Sequence, residues 1–196
     1  IQTLLNFLNP DALPTNRPIR VLDLFSYVGQ WSVRIASFLK AHGREVELHL
    51  VDSSEAALKT AAHNVEKHTR LTTYHRLDIA QSLDDVENRS FDVVICAPPA
   101  FIKTKKDWNT GMQGYRKVFL NAMKKLRSGG RFVGCSCSHH VRDEDFESLM
   151  GDAVRKSNTP IQWIARGSQS PDHPILMEFP EGRYLKAYFG IFIRHS

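Results

Sequence analysis

Short apolar runs alternate with longer amphipathic stretches along most of the chain. The apolar runs predict seven strands, at residues 20–25, 45–51, 73–77, 91–96, 131–136, 161–165 and 184–193. Apolar positions at helical spacing predict helices between them, at residues 30–40, 54–68, 114–126 and 143–156. Alternation of strands and helices is typical of βαβ units, so the sequence predicts an α/β fold with a doubly wound, mostly parallel sheet.

The run FDVVIC at residues 91–96 is apolar almost throughout and is followed by Pro98 and Pro99. This pattern is expected for a central parallel strand that is covered on both faces. The helix predicted at 114–126 should end before Ser128, Gly129 and Gly130. Segments 100–109 and 167–183 are the long connections, and loops beyond the carboxyl ends of strands carry the chemistry in such folds.

Acidic residues lie at or near the ends of the first three predicted strands. Asp23 lies in the first strand, Asp52 follows the second by the spacing of a ribose-binding carboxylate, and Asp78 closes the third. A dinucleotide fingerprint needs three glycines, and this loop has only Gly29, which would let the loop approach a ligand. The pattern favours a nucleoside without a pyrophosphate, such as S-adenosylmethionine. Taken singly, Asp52 also suits a helix N-cap and Asp78 a turn.

The three cysteines are too few and too unevenly spaced for a disulfide framework. Cys96 is predicted to be a buried apolar residue, whereas the role of Cys135 stays open. A thiol at this edge of the sheet suits methylation at carbon 5 of a pyrimidine, which requires a nucleophile to add at carbon 6. The spacing of Cys135, Cys137, His139 and His140 is too tight for a usual zinc site, so no metal is expected.

The chain has 196 residues, of which 42% are hydrophobic and 24% charged, as expected for one globular domain. We divide it into a lead-in segment, 1–19, and a domain, 20–196. The net charge of +5 is modest but favours a polyanionic partner. Lys124 and Lys125 suit a solvated helix face equally well, and the basic side chains that would bind phosphates are Lys103, Lys105, Lys106, Arg116, Lys117, Lys124 and Lys125.

No apolar run approaches the ~20 residues that cross a bilayer, which predicts a cytoplasmic protein without a membrane partner. The chain begins with Ile1 rather than Met, so a fragment or a processed chain is expected. The sequence leaves the oligomeric state open, and a homodimer is one option.

Several segments together resemble the catalytic domain of the RlmI-like class I methyltransferases: VLDLFSYVGQWS, VDSSEAAL, RLDIA, FDVVICAPPAF, GYRKVFLNAMKKLRSGG, CSCSHH and DHPILMEFPEGRYLK. The resemblance covers roughly residues 20–194. It implies a Rossmann-like, seven-stranded fold with an antiparallel C-terminal strand. It also implies S-adenosylmethionine-dependent formation of 5-methylcytosine in large-subunit ribosomal RNA. Family members carry an RNA-binding PUA domain and a small β-rich domain that are not in this sequence.

The resemblance assigns roles to individual positions. Cys137 of the SCS motif would be the nucleophile toward a flipped cytosine. The implied cofactor-binding residues are Asp23, Phe25, Ser26, Tyr27 and Gly29 for the methionine part, Asp52 and Ser53 for the ribose, Asp78 and Ile79 for the adenine, and Pro98, which also borders the base pocket. The implied substrate-binding residues are Pro99, Phe101 and Lys103. His173 and residues 183–186 would border the site without a chemical role.

Two positions depart from the family pattern. Ala97 stands where the family has Asp before Pro-Pro, and the loss of such a carboxylate typically costs ~10² to 10³ in rate. Gln30 stands where a glycine is usual. Two other hypotheses therefore remain beside cytosine methylation: another acceptor, such as guanine in ribosomal RNA, or a catalytically silent, cofactor-binding RNA module.

Overall fold

The computed structural model describes residues 2–169, 173–176, 178–179 and 182–193. Its strands are β1 Ile19–Leu24, β2 Val46–Asp52, β3 Thr72–Arg76, β4 Phe91–Cys96, β5 Leu126–Ser136, β6 Ile161–Gly167 and β7 Lys186–Phe192. Its α-helices are α1 Gln2–Leu8, α2 Gln30–Ala41, α3 Glu55–Val65, α4 Trp108–Lys125 and α5 Asp143–Ser157, and 3-10 turns lie at Pro10–Ala12 and Lys105–Asp107.

The seven strands form one sheet in the order β3-β2-β1-β4-β5-β7-β6. The pairs among β1 to β5 are parallel, whereas β7 is antiparallel to both β5 and β6. The predicted α/β class, the seven strands and the antiparallel C-terminal strand are confirmed. Because β1 and β4 are neighbours at the centre, the loops that follow them meet at one edge of the sheet.

The largest error in the predicted elements lies around Gly129. The helix ends earlier, at Lys125, and Ser128 to Gly130 belong to a long β5 rather than to a helix stop. The pairing of β4 with β5 jumps between Phe91 and Val93, so the extra residues form a bulge, and Gly129 has a φ of 78°. At the other end, α4 begins at Trp108, six residues before the predicted start.

Both faces of the sheet are covered by helices. Helices α4 and α5 cover one apolar cluster, whose largest buried side chains include Phe91, Tyr115, Phe119, Phe132 and Phe146. Helices α1, α2 and α3 cover the other cluster, which includes Leu4, Leu8, Ile35, Leu39 and Leu50. The lead-in segment therefore contributes α1 to the same core as the domain that follows it.

Asp92, near the start of β4, is buried and fully paired. Its Oδ2 accepts hydrogen bonds from Arg17 Nη1 at 2.7 Å and from the Arg20 backbone N at 2.9 Å. Its Oδ1 accepts from Arg17 Nη2 at 2.8 Å and from Arg127 Nη1 at 3.3 Å. This network joins the segment before β1 to β4 and β5 at the edge opposite the loops discussed below.

The two interpretations offered for Lys125 are both wrong. Its side chain is buried, and Nζ donates to Val86 O at 2.6 Å and to Asn88 Oδ1 at 2.8 Å. Burial lowers the pKa of this amine. Lys125 therefore ties the end of α4 to the segment before β4 instead of facing phosphates or water. In the described part of the chain, no helix is long and apolar enough to span a membrane.

Candidate active site at the carboxyl edge of the sheet

The loop between β1 and α2 has an unusual backbone. Phe25, Tyr27 and Gly29 have φ angles of 61°, 47° and 76°, and the left-handed region is costly for the two aromatic residues. Two contacts hold the loop in place: the Tyr27 N–H donates to Asp52 Oδ2 at 2.9 Å, and Asn64 Nδ2 donates to Val28 O at 2.9 Å. The Tyr27 ring is 68% exposed, so the loop presents it to solvent.

Gly29 also has a packing role that the sequence analysis did not predict. A Cβ on this residue would lie 3.2 Å from Ala61 Cβ and 3.2 Å from Leu50 Cδ2, at a φ that disfavours any side chain. The missing side chain thus lets the loop pack against α3 and β2.

Asp23 is buried and only half satisfied. Its Oδ2 accepts from the Ser32 N–H at 3.2 Å and from Ser32 Oγ at 2.7 Å. Among the described residues, no group donates to its Oδ1, and the buried Ser26 Oγ nearby in the chain also lacks a partner. Burial raises the pKa of Asp23 to about 6, although the hydrogen bonds from Ser32 oppose the shift. An acceptor in this state is suited to a cationic donor such as a ligand ammonium group.

The residues after β2 and β3 lie as follows. Asp52 accepts from Tyr27 N and, through Oδ1, from Ser54 N at 2.9 Å. Ser54, and not Asp52, is the N-cap of α3, so the N-cap interpretation of Asp52 is wrong. Ser53, between them, is exposed.

Asp78 lies two residues beyond the end of β3 and is exposed. Its carboxylate accepts a hydrogen bond from Ala80 N at 3.0 Å in a turn. Ile79 is buried beneath it.

The loop after β4 is held by a residue that the sequence analysis missed. Tyr115 of α4 is buried, and its hydroxyl donates to Pro99 O at 3.2 Å and accepts from Phe101 N at 3.2 Å. Ser136 Oγ at the end of β5 donates to the same hydroxyl at 3.3 Å. The Phe101 ring packs against Tyr115 and, edge on, against Phe25, with ring centres 4.7 and 6.3 Å apart. One hydroxyl thus joins two loops of the site.

Two glycines of α4 allow this close approach. A Cβ on Gly111 would collide with Ile102 and lie 3.0 Å from Phe101 O, and one on Gly114 would lie 3.3 Å from the Phe101 ring. The GMQG spacing inside a helix was the available sequence signal, because glycine there usually marks close packing. Pro99 and Lys103 are exposed on the outer side of this loop.

The three cysteines differ in environment. Cys96 is completely buried in β4, as predicted, and burial raises the pKa of its thiol well above the usual value. Cys135 is also buried, and burial raises its pKa to about 12. Cys137 follows the end of β5 and is only partly buried. A thiolate at neutral pH is therefore disfavoured at Cys96 and Cys135, which leaves Cys137 as the candidate nucleophile.

Cys137 opens onto a cavity of about 610 Å³. Ala97 and Pro98 from the end of β4 line it, as do Gln30 and Trp31 from the start of α2. The remaining described lining residues are Gln2, Thr3, Cys135, Gly167, Ser168, Gln169, His173, Tyr184, Leu185, Ala187 and Phe189. The structure thus brings both departures from the family pattern, Ala97 and Gln30, to the same cavity as the thiol.

The contribution of α1 to this cavity was not predicted from the sequence, whereas His173, Tyr184 and Leu185 of the last connection line it at the border of the site, where the resemblance put them. Gln2 and Thr3 carry no motif, and their position depends on the burial of Leu4 and Leu8. Tyr184 Oη lies 3.3 Å from His173 Nδ1, so these two lining residues contact each other.

A second, larger cavity of about 970 Å³ lies between the loops after β4 and β5. Its described lining residues are Lys105, Trp108, His139, His140, Val141, Arg142, Asp143, Glu144, Asp145, Arg183 and Lys186. Lys186 is buried and donates to Ser138 O and Tyr184 O, each at 3.0 Å. Within the described residues, no cluster of three or more His, Cys, Asp or Glu is arranged to hold a metal ion.

The strand order, the antiparallel β7 and the two acidic residues at the ends of β1 and β2 define the fold of class I methyltransferases. Residues 4–159 match the family described as Methyltransferase small domain, and the chain belongs to that family.

Known proteins with a similar sequence or structure include other methyltransferases. Ribosomal RNA large subunit methyltransferase I of Erwinia tasmaniensis is 33% identical over 181 residues, which cover 86% of this chain but 43% of that protein. A Streptococcus mutans structure described as a candidate SAM-dependent methyltransferase superposes with a TM-score of 0.73 at 16% identity, covering 97% of this chain and 48% of that one. The structure of NSun6 from Pyrococcus horikoshii, determined with SFG, superposes with a TM-score of 0.67 at 16% identity. The superposition covers 98% of this chain and 52% of that one.

Proposed function

We propose that this chain is the S-adenosylmethionine-dependent catalytic domain of an enzyme that forms 5-methylcytosine in large-subunit ribosomal RNA. The observation that carries the proposal is that Cys137, the only partly exposed thiol, shares a cavity with Ala97 and Pro98 at the end of the central strand β4. The Erwinia relative, whose length this chain covers to 43%, supports ribosomal RNA as the substrate.

The residues at the ends of β1 to β3 fit the cofactor. Asp23 Oδ1 and Ser26 Oγ, the unpartnered buried atoms, would face the methionine part, whose ammonium group compensates a buried carboxylate. Asp52 would accept from the ribose hydroxyls with the lone pairs that Tyr27 and Ser54 leave free, while Asp78 and Ile79 would border the adenine. When bound, S-adenosylmethionine supplies an electrophilic methyl group.

The thiol of Cys137 would activate the base. Its deprotonated Sγ forms a bond to carbon 6 of a flipped cytosine, which moves electron density to carbon 5, the atom that takes up the methyl group. The carbon 5 proton then leaves to solvent, the sulfur to carbon 6 bond breaks, and both the aromatic ring and the thiolate are restored. Pro99, Phe101 and Lys103 would guide the RNA at the mouth of the cavity, with Lys103 near its phosphates.

The test is methyl transfer to unmodified large-subunit ribosomal RNA by the full chain, with the product mapped by mass spectrometry. We expect Cys137→Ala to abolish transfer while calorimetry shows unchanged cofactor binding. Cys96→Ala, which removes a buried thiol from the core, is the matched control and should retain transfer in the fraction that folds. Transfer by Cys137→Ala at the normal rate would overturn the thiol route and favour another acceptor, such as guanine.

One observation favours a second candidate, a silent module that binds cofactor and RNA. None of the described residues that line the Cys137 cavity is Asp or Glu, because Ala97 stands at the end of β4. If the chain binds cofactor but transfers no methyl group, and Ala97→Asp creates transfer, the natural chain is the silent form. Transfer by the natural chain overturns this second candidate.

A further inference from the structure

The cavity beside Cys137 lacks an obvious partner for the polar edge of a base. Among its described lining residues the ionisable side chains are two thiols, the Tyr184 hydroxyl and the His173 imidazole. A pyrimidine that leaves its stack must still satisfy the donors and acceptors at its N3 and C4 positions, since burying them unpaired is costly. A neutral polar group on the cavity wall has to meet this requirement.

Three carboxamides line the cavity, and the amide nitrogens of two of them are already engaged, although no described group donates to the buried Oε1 of Gln169. Gln2 Nε2 donates to Asn6 Oδ1 at 3.0 Å, and Gln169 Nε2 donates to Gly182 O. In the described part of the chain, the Gln30 side chain has no hydrogen bond at all, and the residue is exposed. Gln30 is thus the amide whose donor and acceptor are both available.

The position of Gln30 places it close to the reacting region. It is the first residue of α2, directly after the strained loop, and it lines the cavity together with Ala97 and Cys137. Ala97 N donates to Leu24 O at 3.4 Å, so the end of β4 is tied to the end of β1 from which this loop leaves. The amide at position 30 and the small residue at position 97 therefore face one space.

We propose that the Gln30 carboxamide holds the N3 and C4 edge of the target pyrimidine beside Cys137. This inference rests on the proposed function and specifies how its substrate is recognised. Toward cytosine the amide donates to N3 and accepts from the exocyclic amine, the same paired donor and acceptor that an amide offers to adenine. Nothing in the described structure fixes its rotation, so a flipped amide matches uracil equally well, and discrimination between the two bases by this contact is weak.

The experiment compares Gln30→Ala, Ala97→Asp and the double variant on two transcripts of the ribosomal RNA, one with the mapped target cytosine and one with uracil there. We expect Gln30→Ala to lower kcat/KM for RNA about 10- to 100-fold, as for loss of a bidentate base contact, with little change in cofactor Kd. Ala97→Asp should restore transfer to cytosine in the Gln30→Ala background and raise the cytosine to uracil ratio. Gln162→Ala, at an exposed amide of β6 that lines neither cavity, is the matched amide control.

Three results would overturn the inference. If Gln30→Ala weakens cofactor binding as much as it lowers methyl transfer, Gln30 belongs to the cofactor site. If the natural chain discriminates strongly between the transcripts, the freely rotating amide does not read the base. If Cys137→Ala retains transfer, the proposed function fails and the inference fails with it, whereas a Gln30 failure alone leaves the Cys137 chemistry standing.

Discussion

Two buried aspartates on neighbouring central strands have opposite surroundings. Asp92, near the start of β4, receives hydrogen bonds on both oxygens from Arg17, Arg20 and Arg127. Asp23, near the end of β1, receives them on one oxygen only, from Ser32. Both residues are almost completely inaccessible, with Asp92 2% exposed and Asp23 1% exposed, so the difference lies in their partners and not in their depth.

Under the proposed function, the difference separates a structural carboxylate, Asp92, from one that would bind a ligand, Asp23. A paired buried charge stabilises its network and is costly only when a partner is removed. A half-paired carboxylate destabilises the folded chain unless something else supplies the missing donor. The Asp92 network at the amino edge of the sheet is thus complete by itself, whereas Asp23 at the carboxyl edge still lacks a donor to Oδ1 among the described residues.

The largest effect is expected from breaking the complete network. Asp92→Ala removes the carboxylate that neutralises Arg17 and Arg127, and should lower the free energy of unfolding by about 3–5 kcal/mol. Chemical denaturation measures this loss. Glu87→Gln, which alters an exposed partner of Arg20, is the control and should cost about 0–1 kcal/mol. A small effect of Asp92→Ala would mean that the two buried aspartates are equivalent.

The pH dependence of stability sharpens the contrast. The folded pKa of Asp23, about 6, lies above its ordinary value of 3.8, so the folded chain binds this proton more tightly than the unfolded chain. The contribution of Asp23 to stability is full below the ordinary value and is lost as pH rises through about 6, by up to about 3 kcal/mol. Denaturation of the natural chain and Asp23→Asn between pH 4 and 8 should give curves whose difference changes in this window. Parallel curves would contradict the assignment.

The same substitution should weaken cofactor binding, although it removes a buried charge that destabilises the folded chain at neutral pH. Asp23→Asn removes the charge that would pair with the ligand ammonium group, and cofactor affinity at pH 7.5 should fall about 10- to 100-fold, as for loss of a charged hydrogen bond. The natural chain should also bind cofactor more weakly below pH 6, where Asp23 is protonated. Calorimetry across this pH range tests both points, and unchanged affinity would show that Asp23 has no role in cofactor binding.

The smallest effect concerns the loop after β4. Tyr115→Phe removes one hydroxyl that bonds to Pro99, Phe101 and Ser136, and should cost about 1–2 kcal/mol of stability. Methyl transfer should fall because the loop after β4, which borders the proposed base pocket, loosens, while cofactor affinity stays the same. Phe119→Leu, in the same helix and core but at a residue without a hydroxyl to bond the loop, separates loss of packing from loss of positioning.

Much of the fold follows from local patterns in the sequence. The apolar run at β4 and the buried Cys96 were predictable because burial on both faces requires continuous apolar residues. Lys125 and Tyr115 were not, because their roles depend on partners distant in sequence, Asn88 and Pro99, which only the packed chain brings near. In the candidate site, the motif residues are predictions from the sequence, whereas the meeting of Gln2 of α1 and Gln30 of α2 at one cavity depends on tertiary packing.

The position of β7 has a consequence for how the chain is made. This strand pairs with β5 on one side and β6 on the other, yet of the sheet's seven strands it is the last in chain order and so is synthesised after both of its neighbours. Until it is inserted, β5 and β6 each carry an open edge that can pair with another chain. Lys186, Ala187 and Phe189, which line the two cavities, arrive with it. The sheet and the lining of the two cavities are therefore completed in the same step. A chain truncated before residue 186 should aggregate.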